Sequence, residues 1–381
     1  MPILKRAVPI GTLIAAIVLS VFWIGIGSLI VEGARVRDFL NLYTGASIAR
    51  DGDFSQLYDP PTQLRREREL VPATAELYPF VRPHFYAAIL APLSLIPFST
   101  AFWVWLTLHS LLLIGCWTWA SRHFGPDAII FGSLYLPTAV GIAHGQDSVF
   151  LLVIAIAAYV AAHRGKDLTA GALLAIGLMK FHIFFLVPVA MVLRGKWRFL
   201  QGFCAVAAVE VAVSALVSGW SGMKQYADLL LAKDIRGLSL SPELMINVHS
   251  IPSNFGIDHP AVSAIAVALV IGLVVVGVRG APLWRWLSVA LIGSLLVPPH
   301  VYGYDASILL LPVWLAMFLS KKLWTRLMAL ALGAPAVFFC AMAGAPWSVV
   351  PALVLLLFLT ALAWENYQEQ REKTPLASDA A

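Results

Sequence analysis

The chain has 381 residues, of which 60% are hydrophobic and only 12% charged, against roughly 25% charged in a soluble domain, which excludes an ordinary soluble enzyme. Its net charge of +5 raises nucleic acid as a partner, but the basic residues are scattered through short interhelical loops and form no tract, so nucleic acid is set aside and the charge is read as a topology signal. Cys116, Cys204 and Cys340 all sit inside apolar runs and read as small buried hydrophobes, not as a disulfide framework or metal cluster.

Apolar runs of about 17 to 25 residues recur along the chain, each long enough as helix to cross roughly 30 Å of hydrocarbon. They do not alternate as barrel strands would, so the fold class expected is all-α, a polytopic transmembrane helical bundle. The first run, from about Val8 to Val31, follows Lys5 and Arg6 and lacks a small-residue cleavage site, which makes it a retained span. Further spans are expected near 99–120, 127–143, 148–162, 199–218, 262–278, 283–298, 304–320, 326–343 and 347–364.

Between the first two spans lies a polar loop of about 32–82. Within it, Asp38 to Arg50 has apolar residues at Phe39, Leu42, Tyr43, Ala46 and Ala49, the i, i+3, i+4 spacing of a helix lying on the membrane surface or on the bundle. Asp38 is expected at its N-cap and Asp51-Gly52-Asp53 as its stop. One reading of Asp38 is a helix cap or an ion pair with Arg35 or Arg37; the other is a general base at the water–membrane boundary. After Val81 comes a Pro-punctuated apolar piece, Arg82 to Pro97, too short to span and expected to be re-entrant or interfacial. Arg82 and His84 at its start either snorkel to the interface or contact a lipid phosphate.

The segment His144-Gly145-Gln146-Asp147-Ser148 joins two spans. Gln146 and Asp147 either cap the next helix or bind sugar hydroxyls. The stretch Leu168 to Leu193 is interrupted by Lys180, Phe181 and His182 and decides the topology. Read as a hairpin of two half-helices, it leaves 15 of the 26 basic residues on the cytoplasmic side; read as one span, it leaves 8. The positive-inside rule favours the hairpin, and half-helices ending at membrane depth require a protein-lined cavity around Lys180. An ammonium there needs an anion, either Glu210 in the next span or a bound phosphate. A second outer loop is expected at about 219–260. Near a later span junction, Val297-Pro-Pro-His300-Val-Tyr302-Gly-Tyr304-Asp305 combines an imidazole, two phenols and a carboxylate. His300 suits phosphate, Tyr302 and Tyr304 suit a sugar, and Asp305 suits a cap or an orienter of His300. No fixed-period repeat is present. Residues 1–364 read as one membrane domain, and 365–381, with Glu365, Glu369 and Glu372, as a disordered cytoplasmic tail.

There is no phosphate loop, HExxH or GxSxG. What the chain does resemble, over most of residues 30 to 310, is glycosyltransferase family 87, the polyprenol-phosphate-mannose-dependent mannosyltransferases of the GT-C superfamily. The resemblance rests on Asp38 through Gly52 with Leu57-Tyr58-Asp59, on Arg82-Pro83-His84-Phe85-Tyr86 with Ala91-Pro92-Leu93 and Ile96-Pro97, and on Trp103-Val104-Trp105. It continues in Gly145-Gln146, Arg164-Gly165, Ala170-Gly171 through Lys180, Pro298-Pro299-His300 and Tyr304-Asp305. His84 departs from it, because relatives commonly have a second Pro there. The resemblance implies a GT-C-like fold, a polyprenyl-phosphate hexose donor, Asp38 as catalytic base, Lys180 and His300 near the donor phosphate, inversion at the sugar, and no required cofactor or metal. The charge count sets the chain in the cell (inner) membrane with both termini cytoplasmic and the site facing the periplasm or exterior; the acceptor, a lipid or glycan, is not fixed by the resemblance. The other function open to such a sequence is a lipid or sugar-lipid transporter, which the cavity supports and the lack of inverted repeats disfavours.

Overall fold

The computed structural model describes residues 10–30, 37–231, 244–257 and 259–373. These contain helices and no strand. In chain order the helices are α1 (Ile10–Ile30), α2 (Arg37–Arg50), α3 (Pro60–Leu70), α4 (His84–Leu90), α5 (Phe98–Phe124), α6 (Asp127–Leu134), α7 (Leu136–Ala143), α8 (Ser148–His163) and α9 (Asp167–Ile176). There follow α10 (Leu186–Leu193), α11 (Trp197–Leu231), α12 (Ser250–Ser253), α13 (Pro260–Val278), α14 (Leu283–Leu296), α15 (Leu310–Leu319), α16 (Leu323–Gly333), α17 (Pro335–Met342) and α18 (Val350–Lys373). The chain is a polytopic helical bundle, and Leu111, Val209, Leu216, Leu269 and Leu357 on its long helices face outward as a surface suited to hydrocarbon.

The ten expected spans hold in part: the first falls on α1, 21 residues long, and five more on helices that follow, while 127–143, 148–162, 283–298 and 304–320 fall on shorter or broken helices. Among the described residues four helices are long and apolar enough to cross: Phe98–Phe124, Trp197–Leu231, Pro260–Val278 and Trp347–Lys373, with α16 and α17, bent by 56°, as a fifth if taken together. The 127–143 run divides at Tyr135, because Pro137 has no N–H with which to continue the ladder. The 304–320 run opens as a 3₁₀ segment, Gly303–Leu309, before α15. Helix α8 has 16 residues, a length of about 24 Å.

The hairpin is present. Helix α9 and helix α10 flank a 3₁₀ segment, Gly177–Ile183, in which Lys180 leaves helical geometry (φ −132°, ψ 60°). Asp167 at the start of α9 pairs with Lys196 just beyond α10 at 3.0 Å, so both arms begin on the same side of the bundle and Lys180 marks the turn. Helix α9 lies directly on α11. A Cβ on Gly171 would stand 1.8 Å from the Phe199 carbonyl oxygen and one on Gly202 1.9 Å from that of Leu168. Only glycine allows backbones this close, the small-residue crossing used in membranes where hydrocarbon gives helices no reason to associate. Helix α11 breaks at Gly219 (φ 66°, ψ −179°), near the expected end of its span.

The end of the bundle opposite the site is pinned by buried Arg285, which donates to Glu365 at 2.9 Å and to Glu369 at 2.8 Å. Ser320 and Thr325 donate to the other oxygen of Glu365. The expected disordered tail is therefore corrected. Helix α18 continues to Lys373 because Arg285 holds its carboxylates inside the fold, and residues 374–381 lie outside the described residues.

In the loop before α4, Gln63 and Glu67 of α3 are buried and bind the backbone of Phe80 and Tyr78: the Phe80 N–H donates to Gln63 at 2.9 Å and the Tyr78 N–H to Glu67 at 3.1 Å. Burial pushes the Glu67 carboxyl up to about 7. A carboxyl raised above its unfolded value near 4.5 stabilises the fold fully below that value and loses the contribution as pH rises through 7. The backbone amides of 76–82 should therefore show larger protection factors, after division by their intrinsic base-catalysed exchange rates, at pH 5.5 than at pH 8, and Glu67→Gln should remove that difference. An unchanged pH dependence in the variant would assign the effect to another group.

Candidate active site

Helix α2 delivers Asp38 in its first turn, inside the helix and not at the N-cap expected. Its neighbour Phe39 is fully buried among Phe98, Phe102 and Trp105, with ring centroids 5.5 to 5.9 Å away. This anchors the turn on Gly145, which has φ +71° and could not carry a side chain, since a Cβ would meet that of Phe39 at 2.6 Å. The Trp105 indole N–H donates to the Gly145 carbonyl at 2.9 Å. Asp38 Oδ2 and His144 Nδ1 then lie 3.2 Å apart.

The two residues after Gly145 enter a cluster of buried charges. Arg82 donates to Asp147 at 3.2 Å and reaches Gln146 at 3.4 Å. Lys180 bonds Asp305, stands 3.2 Å from Gln146 and 3.5 Å from Asp147, and lies over the Tyr304 ring at 5.1 Å. Asp305 also accepts the Tyr302 N–H at 3.0 Å. Two cations and two carboxylates balance, which is what makes four buried charges tolerable, because each would otherwise carry a desolvation cost of several kcal/mol. The expected Lys180–Glu210 pair is absent. Asp147 and Asp305, brought from distant loops, take its place, while Glu210 lies half-buried on α11 with Oε2 unpartnered.

Pro298 and Pro299 have no N–H, so the bend before His300 is held through its carbonyls. Asn247 donates to the Pro298 oxygen at 2.9 Å and His249 Nε2 to that of Val297 at 2.8 Å. His300 packs edge-on to Tyr302 with centroids 4.9 Å apart. His300 Nδ1 and His182 Nε2 are buried without a protein partner.

These groups converge on a cavity of about 820 Å³ lined by Asp38, Arg82, Gln146, Lys180, His300, Tyr302, Tyr304 and Asp305. Its other wall is apolar, built from Met179, Phe181, Phe185, Leu229, Leu230 and Val297. Asp147 is fully buried behind Arg82 and Lys180. His84 is not brought to this cavity. It is buried against Tyr58 and Tyr226, ring centroids 4.9 and 5.9 Å away, with both nitrogens unpartnered. The sequence reading missed Asn41, Tyr78 and His182, which line the cavity, and His144, which touches Asp38. Asn41 follows Asp38 by three residues and so shares its helix face, a signal available beforehand; no local pattern distinguishes Tyr78.

An all-helical membrane bundle that gathers Asp38, Arg82, Lys180 and Asp305 around one large cavity is an integral membrane protein with an internal polar site. Residues 80–299 match the profile of glycosyltransferase family 87. The chain belongs to that family and is a membrane glycosyltransferase. No curated protein and no solved structure matches it significantly. The matched region holds Arg82, Gln146, Asp147 and Lys180. Asp38, His300 and Asp305 lie outside it and are joined to it by the contacts above.

Proposed function

We propose that the protein transfers a hexose, mannose, from a polyprenyl-phosphate donor to a hydroxyl of a lipid or glycan acceptor on the outer side of the cell membrane, with inversion. The observation that carries this reading is that a carboxylate, two cations and two imidazoles with unpartnered nitrogens share one cavity with an apolar wall: a phosphate, a sugar and an isoprenoid each find their own chemistry there. Asp38 takes the acceptor hydroxyl proton as that oxygen bonds the anomeric carbon. The bond from that carbon to the phosphate oxygen breaks, and its electron pair leaves with the polyprenyl phosphate. Lys180, His182 and His300 are suited to the phosphate, and the tyrosines to the sugar. Phosphate is already a competent leaving group, so this chemistry asks for no resident cofactor.

The purified protein, given labelled polyprenyl-phosphate-mannose and a lipid extract, should produce a new labelled glycolipid. Label that merely crosses the bilayer would make the protein a transporter. His300→Ala should raise the donor KM or lower kcat at fixed acceptor; a rise confined to the acceptor KM would move His300 to the other half of the site. The outer location is supported by helix α8, which starts at the site and ends beside basic Arg164 and Lys166, the charge expected of a cytoplasmic face. Phe181→Cys should react with a membrane-impermeant thiol reagent added outside and be protected by donor, whereas labelling only from the cytoplasm would reverse the orientation.

A further inference from the structure

The assignment of Asp38 as base leaves its close neighbour unexplained. His144 follows α7, and its Nδ1 lies 3.2 Å from Asp38 Oδ2, with both side chains largely shielded, 16% and 22% exposed. Its other nitrogen, Nε2, is buried and bonded to nothing. His144 is also absent from the cavity lining, which includes Asp38. The ring therefore reaches the carboxylate through one nitrogen only, and lies 6.1 Å from the ring of Tyr304, which does line the cavity.

That asymmetry is informative. A histidine kept only to fill space would be served as well by an apolar ring, and burying a nitrogen without a partner is unfavourable. Because the carboxylate oxygen can only accept, Nδ1 must carry the hydrogen in this contact. The backbone on both sides is fixed independently: Phe39 seats on Gly145, and the Gly145 carbonyl is held by Trp105. With both main chains pinned, the remaining freedom is the rotation of the Asp38 side chain, which is what the Nδ1–H bond removes. His144 also stands at the head of the four residues whose third and fourth members, Gln146 and Asp147, contact Arg82 and Lys180. One rigid turn thus ties the carboxylate to the cationic end of the cavity.

We infer that His144 is a positioning residue for Asp38: its Nδ1–H holds Oδ2 and leaves Oδ1 to meet the acceptor hydroxyl. The inference rests on the reading of Asp38 as the base. It involves no covalent step by His144, and the acceptor proton still goes to the carboxylate.

The test uses two substitutions. His144→Phe keeps a planar ring beside Tyr304 and deletes the donor; His144→Asn shortens the side chain but can place an amide N–H near the position of Nδ1. His144→Phe should lower kcat about 10- to 100-fold, the scale of a misplaced catalytic group, with donor KM little changed. His144→Asn should recover most of that loss although it packs worse. In an Asp38→Asn background, His144→Phe should cost nothing further, because there is no base left to orient. Equal losses in the Phe and Asn variants, or a further loss in the Asp38→Asn background, would overturn the inference and leave His144 a packing residue. So would full turnover in His144→Phe alongside a dead Asp38→Asn, and the role of Asp38 would stand. Full turnover in Asp38→Asn would instead remove the base assignment, and this inference with it.

Discussion

Asp38→Asn should abolish sugar transfer while donor binding and folding persist. The substitution keeps the shape of the side chain and an oxygen able to accept from His144, so the α2 turn, anchored by Phe39 on Gly145, loses little. What disappears is basicity. Loss of a general base typically lowers the rate about 10²- to 10⁴-fold, and no other carboxylate in the cavity is available to replace it, because Asp305 is held by Lys180 and the Tyr302 amide, and Asp147 lies behind Arg82. The measurement is single-turnover transfer from labelled donor beside a binding isotherm for the same donor. Wild-type turnover in a folded variant would exclude Asp38 as the base. Loss of donor binding would instead give it a place in the donor subsite.

Lys180→Met should have two separable effects. The ammonium balances Asp305 and shares Asp147 with Arg82, so removing it leaves a buried negative charge without compensation. Breaking one side of such a pair costs about 3 to 5 kcal/mol, visible as a large fall in melting temperature. Adding Asp305→Asn restores neutrality, and the double variant should recover most of the stability. It should not recover donor use if the phosphate relies on that ammonium. Melting temperature and donor KM, measured on the single and double variants, therefore dissociate. If the double variant regains both, Lys180 serves the fold alone.

The membrane bundle and the hairpin were legible from the sequence because both follow from additive quantities, apolar length and the count of basic residues on each side. The number of full spans was not, since a break such as that at Tyr135 depends on Pro137 and on what packs around it. At the site, Lys180 was visible as a polar residue at membrane depth, which needs a reason to be there, and Asp38 and His300 as polar residues at the ends of expected spans. Their partners were not. Asp305 lies 125 positions from Lys180 and His144 106 positions from Asp38, and one sequence contains nothing that chooses Asp305 over Glu210. The same limit misplaced His84, whose neighbour Arg82 reaches the cavity while its own ring turns toward α11.

The hairpin also constrains how the protein is made. Its arms, ten and eight residues of α-helix, are about 15 and 12 Å long, well short of a hydrocarbon core of roughly 30 Å, so neither can anchor itself in lipid. Their support comes from α8, made before them, from α11, which follows and meets α9 across Gly171 and Gly202, and from α14. During synthesis, therefore, the lysine at the tip first meets Gln146 and Asp147, already made, and its partner Asp305 emerges 125 positions later. The polar cavity closes only after Asp305 has been made, so its two cations and two carboxylates come into balance only when most of the chain has been inserted.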